Sequence, residues 1–297
     1  MNRLLFFCAF FVWLFQINVE GQLSFPEVRL FTVNEGLVQS HINALLQDSR
    51  GFIWVGTENG LSRYDGYEFV NYTHQPEDAN SLSDNYVNAI CEDSEGVLWI
   101  ATKKGLNRFD VRNEEFSVYL NDPKRSNTIS DDVVLNVYID SKHTLWVKTL
   151  KSLDQFDPKS KTFRRFPHYF DVFRFVSGYI PFPIFEDRAN RLWVGTKDGL
   201  NFFDRDLQLF NRYISLEYND KSLSHDEIRS ICQDKDGILW IGTTDGLNAF
   251  NPDTREFKRY YPEPDAKTLV SSNRINTLCM DSSGILWVGT NGGLLAF

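Results

Sequence analysis

The chain has 297 residues, 40 of them acidic and 31 basic, for a net charge of −9. With no long basic run, that balance excludes nucleic acid as the main partner, because phosphate binding needs clustered positive charge. Aromatic residues make up 15% of the chain and Phe alone occurs 25 times, enough for a large β-rich core.

The N-terminus reads as an export signal. Arg3 supplies a positive end, and Leu4 to Phe15 is an apolar run too short to span a bilayer comfortably. Val19-Glu20-Gly21 ends in a small residue, so residues 1–21 are expected to be cleaved away; an uncleaved membrane anchor is the competing reading. Cys8 lies inside the apolar run rather than after it, so it is not read as a lipid-attachment site. The mature chain is expected to be exported, with no membrane insertion of its own.

Residues 25–297 are filled by one repeat. Trp54, Trp99, Trp146, Trp193, Trp240 and Trp287 fall in register, the first gap being 45 residues and the other four 47. Around them recurs a motif seen as Trp54-Val55-Gly56-Thr57 and Trp240-Ile241-Gly242-Thr243. A β-rich period of this length predicts an all-β fold, a β-propeller of six four-stranded blades.

In the fifth repeat the expected strands are Ile228 to Gln233, Ile238 to Thr243, Leu247 to Phe250 and Glu256 to Tyr260, separated by Asp-, Gly- and Pro-bearing turns. The first turn recurs as Asp48…Gly51, Asp93…Gly96, Asp234…Gly237 and Asp281…Gly284. Asp accepts from the turn's own amides and Gly supplies a positive φ. Repeats three and four place His143 and Asn190 at the Gly position, which are compatible with the same backbone. One carboxylate per turn falls short of the six to eight oxygens that calcium prefers, so no metal is expected. Repeat three is the least regular, with Lys148 and Ser152 standing where other repeats have Gly.

Cys91, Cys232 and Cys279 occupy one strand position in different repeats, so buried free thiols are expected rather than a disulfide framework. The fourth strands carry aromatic pairs, Phe69/Tyr72 through Phe257/Tyr260, which the last repeat lacks. Val28-Arg29-Leu30-Phe31 has the missing spacing, so residues 28–33 are expected to complete the sixth blade and remove two exposed sheet edges.

The composite pattern Ile-x-x-(Leu/Ile)-x-x-Asp-x-x-Gly-x-(Leu/Ile)-Trp-(Val/Ile)-Gly-Thr-x-x-Gly-Leu-x-x-(Phe/Tyr)-Asp resembles the two-component regulator propeller repeat, closely so at Ile42 to Asp65 and Ile228 to Asn251. The resemblance implies a periplasmic sensor that binds oligosaccharides as the input part of a two-component system. Full-length members carry further propeller, membrane, histidine kinase, receiver and DNA-binding parts, so the chain is expected to be part of an input device. No kinase nucleotide motif is present. A homodimer or further sensor domains are the protein partners this allows.

No His-Glu-x-x-His, Gly-x-Ser-x-Gly or phosphate loop occurs, so neither catalysis nor a cofactor is expected. A propeller enzyme (lyase or glycosidase) and a protein-interaction scaffold are the alternative classes. His41 and His225 both precede first strands without metal-ligand spacing. Asn43, Asn88, Arg229 and Asn276 share the second position of the first strand, and a polar ring near the channel mouth is the functional reading; ordinary hydration of a channel wall is the other. The stretch from Phe166 to Tyr179 departs most from the repeat. Its Tyr169, Phe173, Arg174 and Tyr179 suit a sugar, stacking on its ring face and hydrogen-bonding its polar groups. Packing against a neighbouring blade or domain is the alternative.

Overall fold

The computed structural model describes residues 29–167, 182–261 and 273–297. Thr32–Phe297 forms one compact unit, and among the described residues before it Arg29 stacks over Phe31 at 4.7 Å. The large unit is a six-bladed β-propeller, each blade an antiparallel meander. The first strands are Ile42–Gln47, Val87–Glu92, Val134–Ile139, Ile184–Glu186, Ile228–Gln233 and Ile275–Met280. They lie innermost, those of blades one to five each beside the first strand of the next blade. In blade five the strands are Ile228–Gln233, Leu239–Thr243, Gly246–Asn251 and Glu256–Tyr260, close to the pattern read from the sequence.

Four of the tryptophans pack against an aromatic ring of the next blade. Trp54, Trp99, Trp146 and Trp193 meet Phe109, Phe156, Phe203 and Phe250 of the following blade, with ring centroids 4.9 to 5.8 Å apart. The repeated Asp holds the indole. In all six blades its Oδ2 accepts from the Trp Nε1 at 2.8 to 3.0 Å, while in blade one Asp48 Oδ1 also accepts from the amides of Arg50 and Phe52. One carboxylate thus fixes the turn and pays the hydrogen-bond demand of a buried indole. His143 and Asn190 adopt the positive φ expected of the Gly they replace, both at 60°.

The Gly after Trp-Val lets the next first strand come close. A Cβ at Gly56 would lie 2.5 Å from Val87, and one at Gly242 2.5 Å from Ile275. Lys148 occupies this position in blade three. Its buried Nζ reaches into blade four and donates to the Gly195 carbonyl at 2.8 Å. Burial pushes its pKa down to about 7, with Asp198 opposing the shift.

Two expectations are corrected. Of residues 28–33, Val28 lies outside the described residues, 29–32 form no strand and Val33–Glu35 is a short 3₁₀ turn. Thr32 and Glu35 cap each other across that turn and Gly36 closes it at φ 103°, so the segment is committed to a local turn. The sixth sheet accordingly has three strands among the described residues, and Trp287 is 37% exposed where Trp54 is 0%. The thiols are free, but Cys279 is exposed rather than buried. Burial does push the Cys232 thiol up to about 12.

Candidate functional site

The positions proposed as a polar ring are β-bulges. Strand pairing skips Asn43, Asn88, Arg229 and Asn276, each flanked by residues that stay in register with the second strand. In blade three the skipped residue is Leu135. A bulge leaves one residue out of the ladder and re-aims its side chain.

Two of the asparagines spend that freedom on the fold. Asn43 Nδ2 donates to the Val87 carbonyl at 3.0 Å and Asn88 Nδ2 to the Val134 carbonyl at 2.7 Å. Each acceptor immediately precedes the next blade's bulge, so the amide clasps one innermost strand to the next. Leu135 cannot do this, and Asn136 takes over by donating to the Phe182 carbonyl at 2.8 Å. Asn276 Nδ2 donates instead to Asn291 Oδ1 at 2.7 Å.

Arg229 breaks the series. Its side chain is 17% exposed and lies 3.5 Å from Glu227 through Nη1 and Oε1. Among the described residues its Nε and Nη1, and Glu227 Oε1, have no hydrogen-bond partner. Desolvation holds the Arg229 pKa below the usual guanidinium range, and the charge of Arg274 pushes the same way. The first strand of blade five and the residue just before it therefore carry a guanidinium and a carboxylate with unused hydrogen-bonding capacity. A sugar hydroxyl both donates and accepts, so this pair can take one from both sides.

The histidines on this side do not join that pair as ligands. His225 Nδ1 accepts from the Glu227 amide at 3.0 Å and contacts Thr244 Oγ1 at 2.8 Å. His41 is exposed, 3.7 Å from Glu58. Among the described residues no three His, Cys, Asp or Glu side chains gather as a metal site would require. Tyr169, Phe173, Arg174 and Tyr179 lie outside the described residues. Phe166, where that stretch begins, is buried against Trp146 and Phe203. Sequence reasoning missed Glu227 and Arg274; the available signal was Arg229 itself, the one charged residue among the repeat's Asn positions.

A family model described as two component regulator propeller matches residues 36–59, 81–104, 222–245 and 270–292. Histidine kinase P4 of Formosa agariphila is 40% identical over 67 residues, which are 23% of this chain and 5% of that protein. Among solved structures, the extracellular domain assigned to a hybrid two component system of B. thetaiotaomicron aligns at TM-score 0.73 and 24% identity, covering 91% of this chain and 35% of that one. Virginiamycin B lyase from Staphylococcus aureus aligns at TM-score 0.60 and 12% identity, covering 86% of this chain and 84% of the lyase. Both structural likenesses are likenesses of fold. Among the described residues no helix is long and apolar enough to cross a membrane.

Proposed function

We propose that this chain, whose residues 36–59, 81–104, 222–245 and 270–292 match the two component regulator propeller, is a periplasmic, non-enzymatic sensor propeller that recognises oligosaccharides as the input part of a two-component signalling system. The repeat match carries this reading: its four matched segments fall in blades one, two, five and six, and the 40% identical relative is a histidine kinase. The channel-side ion pair of Arg229 and Glu227 supports it, since donor and acceptor atoms that lack hydrogen bonds side by side suit a hydroxylated ligand. Tyr169, Phe173, Arg174 and Tyr179 complete the proposed ligand surface, and export by residues 1–21 delivers the chain to the periplasm.

The rival reading is a lyase or glycosidase, which the fold likeness to virginiamycin B lyase keeps in view. An enzyme needs convergent acid, base or nucleophilic groups at one mouth of the channel. His225 is instead held by its own turn.

A thermal-shift screen against neutral and acidic oligosaccharides, followed by Arg229→Ala and Asn88→Ala on any hit, tests the assignment. Arg229→Ala is expected to weaken binding by about 1–3 kcal/mol, the scale of charge-assisted hydrogen bonds. Asn88→Ala is expected to lower stability and leave affinity unchanged. The reverse pattern would move the ligand away from Arg229.

A further inference from the structure

The repeats supply an internal comparison for a second site. A cleft of about 930 Å³ opens between blades two and three, lined by hydroxyl and amide groups of Ser94, Ser117, Thr144 and Gln155. The equivalent place between blades one and two is closed by a carboxylate. There Arg63 stands opposite Trp54 and Tyr72 opposite Leu61 in the strand pairing. Arg63 Nη1 and the Tyr72 hydroxyl both donate to Glu114 Oε1, each at 3.3 Å. Glu114 reaches them from the turn before the last strand of blade two, at φ 55°.

Blade two repeats the first half of this arrangement. Arg108 stands opposite Trp99 and Tyr119 opposite Leu106, the same register. The turn of blade three also repeats, at φ 54°, but its residue is Lys161. Arg108, Tyr119 and Lys161 all line the cleft, and among the described residues none of their head groups has a hydrogen bond or close ion pair. A guanidinium, a phenol and an ammonium thus line this cleft, where the neighbouring one holds a carboxylate.

The other clefts differ. The positions of Arg108 and Tyr119 become Gln155 and Phe166 in blade three, Phe202 and Tyr213 in blade four. The acids near the blade two–three cleft are mostly engaged. Asp93 serves the Trp99 indole and its own turn, and Asp157 its own turn, leaving Glu95.

We propose that this cleft binds a carboxylate-bearing sugar, a hexuronate unit, with its carboxylate placed as Glu114's is next door. Arg108 and Tyr119 donate to it, and Lys161 supplies the charge that Glu114 cancels in the other cleft. The volume suits a disaccharide, and the hydroxyl-rich lining suits a hydroxylated scaffold rather than an apolar acid. The site lies apart from Arg229, so it stands or falls separately from the channel-side assignment.

Calorimetry of the folded chain with digalacturonate, its methyl ester and a short polyglutamate peptide tests the proposal. Digalacturonate is expected to bind, with the ester and the peptide weaker by at least about tenfold. Lys161→Glu recreates the closed cleft on a backbone that already accepts Glu at Glu114. It is expected to cut digalacturonate affinity at least about tenfold while the melting temperature holds. Lys235→Glu, a charge-matched change in an exposed turn of blade five, should leave binding intact. The reciprocal Glu114→Lys should raise the stoichiometry from one site to two. No binding up to about 10 mM digalacturonate, equal binding of the ester or the peptide, or a folded Lys161→Glu variant that binds normally would each overturn the assignment.

Discussion

Replacing Asp48 by Ala isolates what the repeated aspartate does. Asp48 is buried and accepts three hydrogen bonds, from the amides of Arg50 and Phe52 at 3.0 and 2.9 Å and from Trp54 Nε1 at 2.9 Å. Trp54 is wholly buried, so the substitution leaves its indole N–H with no partner and no water. An unpaired buried donor costs about 1–3 kcal/mol and each lost turn bond about 1 kcal/mol, for an expected loss of about 3–5 kcal/mol. Asp281→Ala removes the same three contacts, at 2.9 Å each, and a further exposed one from Ser283 Oγ at 2.6 Å, in a blade where Trp287 is 37% exposed. Water can replace the carboxylate there, so the loss should be clearly smaller. Urea denaturation followed by circular dichroism compares the two midpoints, provided the m values agree. If Asp281→Ala is as damaging as Asp48→Ala, burial of the indole is not what sets the cost.

Gly242→Ala should cost about 1–3 kcal/mol, since its Cβ would lie 2.5 Å from Ile275, and the same denaturation assay reads it. Ser152→Gly should destabilise blade three by removing the hydroxyl that serves Asp154, whereas adding Asp154→Asn should restore most of the loss by recreating the Asn–Ser link of Asn107 and Ser83; a double-mutant cycle measures the coupling. Lys148 has a folded pKa of about 7 against an ordinary 10.5, so between those values the unfolded chain holds the extra proton and stability should rise with pH; in Lys148→Met that part of the slope should vanish from melting curves. Arg174→Ala and Tyr179→Ala should each weaken binding of a recognised oligosaccharide by about 1–3 kcal/mol at unchanged melting temperature, as calorimetry would show.

The repeat made the architecture legible because each blade solves one packing problem in the same way. Trp spacing, the Asp-led turn and the Gly after Trp-Val all report backbone geometry, and even the His143 and Asn190 departures kept the expected φ. The second duty of the aspartate was hidden, because its bond to an indole six residues away crosses from turn to strand and leaves no local pattern. The shared position of Asn43 and Asn88 was legible in the sequence. Their shared position marks a bulge, and only coordinates show that their amides clasp the next blade. Completion of the sixth blade by residues 28–33 failed because aromatic spacing does not reveal the Thr32–Glu35 cap, which favours a turn. Lys148 was legible as an irregularity, though its reach into blade four was not.

The most direct test of the sensor reading is a long incubation of the pure chain with an oligosaccharide that binds it, read by calorimetry and by product analysis of the recovered sugar. The account predicts saturable, stoichiometric heat and a sugar recovered unchanged. Cleaved or eliminated product would contradict it and assign the propeller to an enzyme.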